Sequence, residues 1–253
     1  VSLCALWMHW SLLLQVLSSQ TLSRGSWATN RRASHGLHVP GRGSREFKLN
    51  WQRPAVEHLQ ETCRRHELPC ESFDMYEFGV YGGRNMRALS LALNRSKVPF
   101  RQFWGFDSFE GLPQESKHTQ RSAVSEKEWQ AGMWSIADYL GVWSAGKLEA
   151  KLKKMISDPR VEFVSGWYNE SLTSTVAAER NMRPALFVEV DCDLYISSVL
   201  ALDWMLSQRL IVPGTLIAYD DILTGGSLSG QPQAPRAMVA KSHLTVTPVG
   251  HGQ

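Results

Sequence analysis

The sequence predicts a doubly wound α/β fold, a mostly parallel sheet in a three-layer α/β/α arrangement. Two observations carry this. From residue 50 onward, short apolar runs alternate with amphipathic stretches. Residues 184–190 (PALFVEV) and 211–219 (IVPGTLIAY) are near-continuous apolar runs of strand length, the pattern of strands buried on both faces of a parallel sheet. In such folds the ligand lies at the carboxyl ends of the strands, so the residues that follow each strand carry the functional signal.

The elements follow in order. Residues 52–67 read as a helix with Ala55, Val56, Leu59 and Cys63 on one face. Residues 73–80 (FDMYEFGV) read as a strand ending in a glycine turn, and residues 84–96 as the helix after it. Strands are expected at 101–106 (RQFWGF) and 161–165 (VEFVS). A helical pattern at 195–208 separates the two apolar runs, and a last helix at 234–242 precedes a strand at 243–249. The interval 107–160 is far longer than a usual connection. It holds Trp129, Trp134 and Trp143 and helix-like segments near 125–140 and 145–157. Because it falls on the carboxyl-end side, we read it as a lid lining a substrate pocket. The plainer alternative is an extra helix packed on the sheet edge.

Composition narrows the partners. The formal charge is +3, but residues 1–45 contain Arg24, Arg31, Arg32, Arg42 and Arg45 with no acid, which leaves 22 basic against 24 acidic residues in the remainder. A body with a net charge of −2 argues against nucleic acid as a partner. Residues 1–47 are read as a leader outside the fold, either a secretory or organellar targeting segment or a disordered tract, with the domain at 48–253. His9, Ser11 and Gln15 interrupt its apolar start, so no stable membrane span is expected. Cys4, Cys63, Cys70 and Cys192 form no CxxC pair, which speaks against zinc. Cys63 and Cys70 can pair only if their backbones allow it, so the compartment stays open.

Three constellations carry chemistry. The first strand runs through Glu77 into Gly79-Val80-Tyr81-Gly82-Gly83, where Tyr81 and Arg84 stand in place of the second and third glycines of a dinucleotide fingerprint. A nicotinamide site is therefore disfavoured, while glycine still admits close ligand approach at a helix N-terminus. Asp107 leaves the second strand, where an acid can bind ribose hydroxyls. Asp191 and Asp193 follow the apolar strand at 184–190, and Asp220 and Asp221 follow the one at 211–219. Converging carboxylates repel unless a cation or a shared proton relieves them, and such oxygen ligands suit Mg²⁺.

The succession EFGVYGG, GFDSFEGLP, VSGWYNESL, VEVDCDLYISS and PGTLIAYDD, over roughly residues 52–242, resembles the macrocin O-methyltransferase-like family of class I methyltransferases. The resemblance implies S-adenosylmethionine as cofactor and methylation of a hydroxyl on a sugar or other vicinal-diol small molecule. It implies that Glu77, Gly79 and Tyr81 line the methionine part, Asp107 and Ser108 the ribose, and Ser165, Gly166 and Trp167 the adenine. Asp191, Asp220 and Asp221 would hold Mg²⁺, and Asp193 would be the general base. The expected strand order is 3-2-1-4-5-(7)-6, with the family's antiparallel seventh strand missing. Arg84 departs from the small residue of many relatives. The alternative function is a truncated, non-catalytic adenosine-ligand-binding module. The acceptor is not legible, and a homo-oligomer stays open.

Overall fold

The structure, a computed structural model, describes residues 14–18, 49–65, 69–114, 131–192, 194–219 and 246–248. Its centre is five parallel strands: β2 (Asp74–Phe78), β3 (Phe103–Asp107), β4 (Val161–Ser165), β5 (Ala185–Val190) and β6 (Leu216–Tyr219). Two further strands, β1 (Leu14–Ser18) and β7 (Val246–Pro248), extend it to the order β4-β3-β2-β5-β6-β1-β7. The chain winds outward from β2 to β4, then crosses back to β5. That reversal between β2 and β5 is the topological switch point at which such sheets bind ligands.

Helices cover both faces. On one side lie α1 (Leu49–Arg65), α2 (Arg84–Arg95), α3 (Ile136–Leu140) and α4 (Ala145–Ile156). Leu59, Leu89, Leu152 and Ile156 pack there with Met75, Phe103 and Phe163 of the sheet. On the other side lie α5 (Tyr168–Ser171), α6 (Val176–Glu179) and α7 (Tyr195–Ser207), which bury Tyr76, Phe78, Phe106 and Val188 beneath Val176, Leu202 and Met205. Each fully buried phenylalanine is worth about 1.5–3 kcal/mol of transfer free energy. Strand side chains alternate between these two layers, which is why the buried runs show no polar face.

Asp74 clamps the amino end of the sheet. It is fully buried and accepts from Arg101 Nε and Nη2 (2.8 and 2.6 Å), Trp104 Nε1 (2.8 Å) and the Arg183 amide (2.9 Å). One carboxylate thus joins β2 to the segments entering β3 and β5.

The structure departs from the sequence expectations in three places. The apolar run at 211–219 becomes a strand only from Leu216, because Pro213-Gly214 makes a turn with Gly214 at φ +93° and Thr215 bonded back to Val212 at 3.0 Å. Within the presumed lid, α4 buries Leu148, Leu152 and Ile156 and is the ordinary crossover helix between β3 and β4, so a lid has only the stretch before α4 to draw on. The sheet also reaches into the presumed leader. β1 pairs in parallel with both β6 and β7, from Gln15↔Leu216 to Ser18↔Tyr219 and from Leu14↔Val246 to Val16↔Pro248. It stands where the family's antiparallel seventh strand was expected to be missing, and it runs parallel. The expected helix at 234–242 lies outside the described residues. Among the described residues, no helix is long and apolar enough to cross a membrane.

Candidate active site

The crevice at the carboxyl ends of the strands is organised by Asp107. Its Oδ2 accepts from the amides of Val80 (2.8 Å) and Tyr81 (2.7 Å), and its Oδ1 accepts from the Phe109 amide (2.6 Å). The last residue of β3 therefore pins the glycine loop after β2 and starts its own turn. Burial pushes the Asp107 carboxyl up from its ordinary value, and the three N–H donors oppose the rise. A carboxylate offers about four lone-pair sites, so this half-buried group keeps acceptor capacity for a ligand hydroxyl.

Gly79 is required for a reason the sequence did not show. It sits at φ +91°, and a Cβ there would lie 1.9 Å from the Asp191 carbonyl oxygen. Its amide donates to Phe106 O (3.0 Å), and the Asp191 amide donates to Phe78 O (2.8 Å). The close approach is thus between the ends of β2, β3 and β5 themselves, and it closes the floor of the crevice. Tyr81 holds φ +46° at the loop tip, a conformation costly for a bulky residue. Its ring meets Trp134 edge to face at 6.0 Å. Burial raises the Tyr81 hydroxyl's pKa, Tyr139 adds to the rise and Arg84 opposes it. Trp134 and Tyr139 are 41% and 42% exposed, so the stretch before α4 presents aromatic surface beside the glycine loop.

The predicted adenine and ribose positions are brought together. Asp107 and Ser165 are register partners on β3 and β4, and the Gly166 amide donates to Asp107 O (3.0 Å). Trp167 is half-buried and caps α5, accepting from Glu170 (2.9 Å) and Ser171 (2.8 Å) amides. Ser165 Oγ donates to Glu149 Oε1 of α4, a neighbour the sequence reading missed. Ser108 spends its hydroxyl inside its own turn, donating to Gly111 O (3.1 Å) and accepting from the Glu110 amide (3.1 Å). Tyr168, also missed, donates to Phe106 O (3.1 Å) beneath the crevice. Burial pushes its hydroxyl well up, with Cys192, Asp107 and Asp191 adding to the rise.

A second acidic group lies under the loop. Glu77 and Glu189 are register partners on β2 and β5, both buried, beside Gly105 on β3. A Cβ at Gly105 would fall 2.8 Å from Val80 Cγ2 and 2.9 Å from Phe163 Cδ1, so glycine lets the loop fold down over this row. Asn85 of α2 donates from one amide nitrogen to Glu189 Oε1 (3.2 Å) and Asp191 Oδ2 (3.0 Å). Glu189 and Asn85 were absent from the predicted site, although an acid inside the run FVEV and an asparagine one residue past Arg84 were signals in plain view.

Of the predicted metal ligands only Asp191 is described, and its carboxylate accepts from Asn85; Asp220 and Asp221, like the predicted base Asp193, lie outside the described residues. Among the described residues no group of three His, Cys, Asp or Glu side chains is gathered to hold a metal ion. The Mg²⁺ expectation gains no support from the residues described.

Comparison with curated proteins finds no match. Among solved structures, the chain is similar to the O-methyltransferase NovP at 20% identity and a TM-score of 0.50, covering 75% of this chain and 72% of that one. It is also similar to CalS11, a calicheamicin methyltransferase, at 18% identity and a TM-score of 0.53, covering 79% of this chain and 72% of that one. At these identities the likeness establishes the fold. The family model for macrocin O-methyltransferase (TylF) matches residues 52–233, a span that holds the glycine loop, Asp107, the Ser165-Gly166-Trp167 turn and Asp191, and the chain belongs to that family.

Proposed function

We propose that this chain is an S-adenosylmethionine-dependent O-methyltransferase whose acceptor is a hydroxyl of a sugar or another vicinal-diol small molecule. The observation that carries the reading is the Asp107 clamp at the carboxyl end of β3, which fixes the glycine loop after β2 and the turn after β4 around one crevice. Family membership supports the cofactor and the reaction class.

When bound, the cofactor supplies a methyl group on a sulfonium, which the acceptor oxygen takes as its C–O bond forms and the C–S bond breaks. The chain's residues do the remaining work. Asp107 accepts from ribose hydroxyls, the Ser165-Gly166-Trp167 turn borders the adenine, and the Glu77–Tyr81 segment borders the methionine. Tyr81, Trp134 and Tyr139 offer an aromatic wall that excludes water and stacks on an acceptor ring. Asp193 accepts the acceptor's proton, a contribution of about a hundredfold or more in rate. A divalent ion on Asp191, Asp220 and Asp221 is the part of this reading that rests on the sequence resemblance alone.

Calorimetry with S-adenosylhomocysteine tests the core of the reading. Asp107→Ala should weaken binding about ten- to hundredfold, equivalent to about 1.5–3 kcal/mol for hydrogen bonds to a charged group. Equal affinity in the variant and the parent would remove Asp107 from the cofactor site. Mg²⁺ titration of the parent and Asp191→Asn tests the metal separately, with weaker binding expected in the variant.

A further inference from the structure

The end of the sheet opposite the crevice carries features the methyl-transfer reaction does not use. Cys63 near the end of α1 is bonded to Cys70 just before β2, with Cα atoms 6.0 Å apart. α2 starts at the carboxyl end of β2 and returns along the sheet, so its last turn, with Asn94 and Arg95, lies at this same amino end. Asn94-Arg95-Ser96 is an Asn-x-Ser triplet whose middle residue is not proline, the acceptor pattern for an N-linked glycan. Asn94 is exposed.

The local geometry suits that modification. Arg160 Nη2 donates to Asn94 Oδ1 at 2.6 Å, so Arg160 holds the amide by its oxygen. The glycan-bearing atom is Nδ2, the other arm of that amide, and the Arg160 contact survives its substitution. Gln60 Nε2 of α1 donates to Ser96 O at 3.1 Å, which ties the triplet to the helix that carries Cys63. Disulfides persist in oxidising compartments and are rare where glutathione keeps thiols reduced.

We propose that Asn94 is an N-glycan acceptor in a chain that matures in an oxidising compartment, where Cys63 and Cys70 pair. In the transfer, the anomeric carbon of an oligosaccharide carried on a polyprenyl diphosphate bonds to Asn94 Nδ2. The anomeric C–O bond to the diphosphate breaks, the lipid diphosphate leaves, and the amide gives up one proton. Pairing of the two thiols passes two electrons and two protons to a disulfide-bearing oxidoreductase of that compartment by thiol–disulfide exchange. A second triplet, Asn169-Glu170-Ser171, is also present with Asn169 exposed. It lies in α5, two residues past Trp167, where a glycan would stand over the crevice. A glycan on Asn94 leaves the crevice open.

The test uses the full chain expressed in a eukaryotic cell. Peptide-N-glycosidase in heavy-oxygen water should convert Asn94 to an isotope-marked Asp and collapse a gel shift, and unreduced digests should contain the Cys63–Cys70 linked peptide. Ser96→Ala should abolish the shift while keeping the Asn94–Arg160 contact, and Ser96→Thr should keep the shift. Should Ser96→Ala fail to accumulate, mapping of the parent chain decides alone. Unmodified Asn94 overturns the proposal, whether the cysteines are linked or free. So does a chain glycosylated on Asn169 alone.

Discussion

The two halves of the sheet are built by opposite means. β2, β3, β4 and β5 come from one stretch of chain, residues 74–190, joined by crossovers whose helices bury both faces. The other half, β6-β1-β7, is assembled from three distant pieces, 216–219, 14–18 and 246–248. In the first half, single carboxylates hold several strands at once. Asp74 does so at the amino end and Asp107 at the carboxyl end. In the second half the joins described are backbone ladders. The crevice draws its described residues from the first half, where position is over-determined. Pre-organisation of a ligand site requires that kind of support.

The contrast predicts the largest effect at Asp74. Asp74→Ala takes the buried carboxylate from Arg101 and leaves the Trp104 N–H and the Arg183 amide without their acceptor. Removing one partner of a buried ion pair costs about 3–5 kcal/mol. Urea unfolding should show a free energy of unfolding lower by that amount, with β2, β3 and β5 affected together. A loss below about 1 kcal/mol would mean that the apolar layers alone hold the first half.

Deletion of residues 1–45 comes next and tests the other half. Read as a leader, the segment would be dispensable. With β1 in the sheet, its removal leaves β6 as an edge and takes away the partner of β7. Several ladder hydrogen bonds, worth about 1 kcal/mol net apiece, minus the backbone entropy regained, come to about 2–3 kcal/mol. At about 2–4 °C per kcal/mol for a chain of this size, the melting point should fall by roughly 5–10 °C. An unchanged melting point would restore the leader reading and leave a five-stranded functional domain.

The same contrast explains what was legible in the sequence. Strands 161–165 and 185–190 and helices 84–95 and 195–207 were readable to within a residue or so, because each is a local period bounded by its own turn. β1 was not, since a five-residue run whose partners lie about 200 residues away carries no local mark of its pairing. Its interruption by polar residues spoke against a membrane and was silent on a sheet. At the site, Asp107 and Gly79 were singled out by their places after strands, and the Ser165-Gly166-Trp167 turn only by the family resemblance. Their hydrogen-bond partners were not, because Gly79's close neighbour is the backbone of Asp191 and Ser165's is Glu149 on a preceding helix. Such contacts depend on how strands stack, which no spacing in one chain encodes.

The smallest effect concerns the outer strand of the first half and is read through pH. Asp158, buried in the turn before β4, accepts from Arg160 through the amide and Nε (both 3.0 Å) and through Nη2 (2.7 Å). Burial alone would raise its carboxyl, but the Arg160 side chain, the Arg160 amide, the guanidinium charge and Ser90 outweigh it and hold the pKa below the ordinary value. A carboxylate lowered in the folded state contributes stability that is fully present above its unfolded pKa, near 4, and is lost as pH falls through the lower folded pKa. The loss should therefore begin only below about pH 4 and steepen the acid limb of the stability curve. Asp158→Asn removes that titration. The variant should be less stable than the parent at neutral pH, and the two curves should converge in acid. Urea midpoints measured from pH 7 to pH 3 test this. Curves that stay parallel would show that Arg160 holds Asp158 by geometry without favouring its charge, and would place the acid sensitivity of the sheet elsewhere than at the β4 edge.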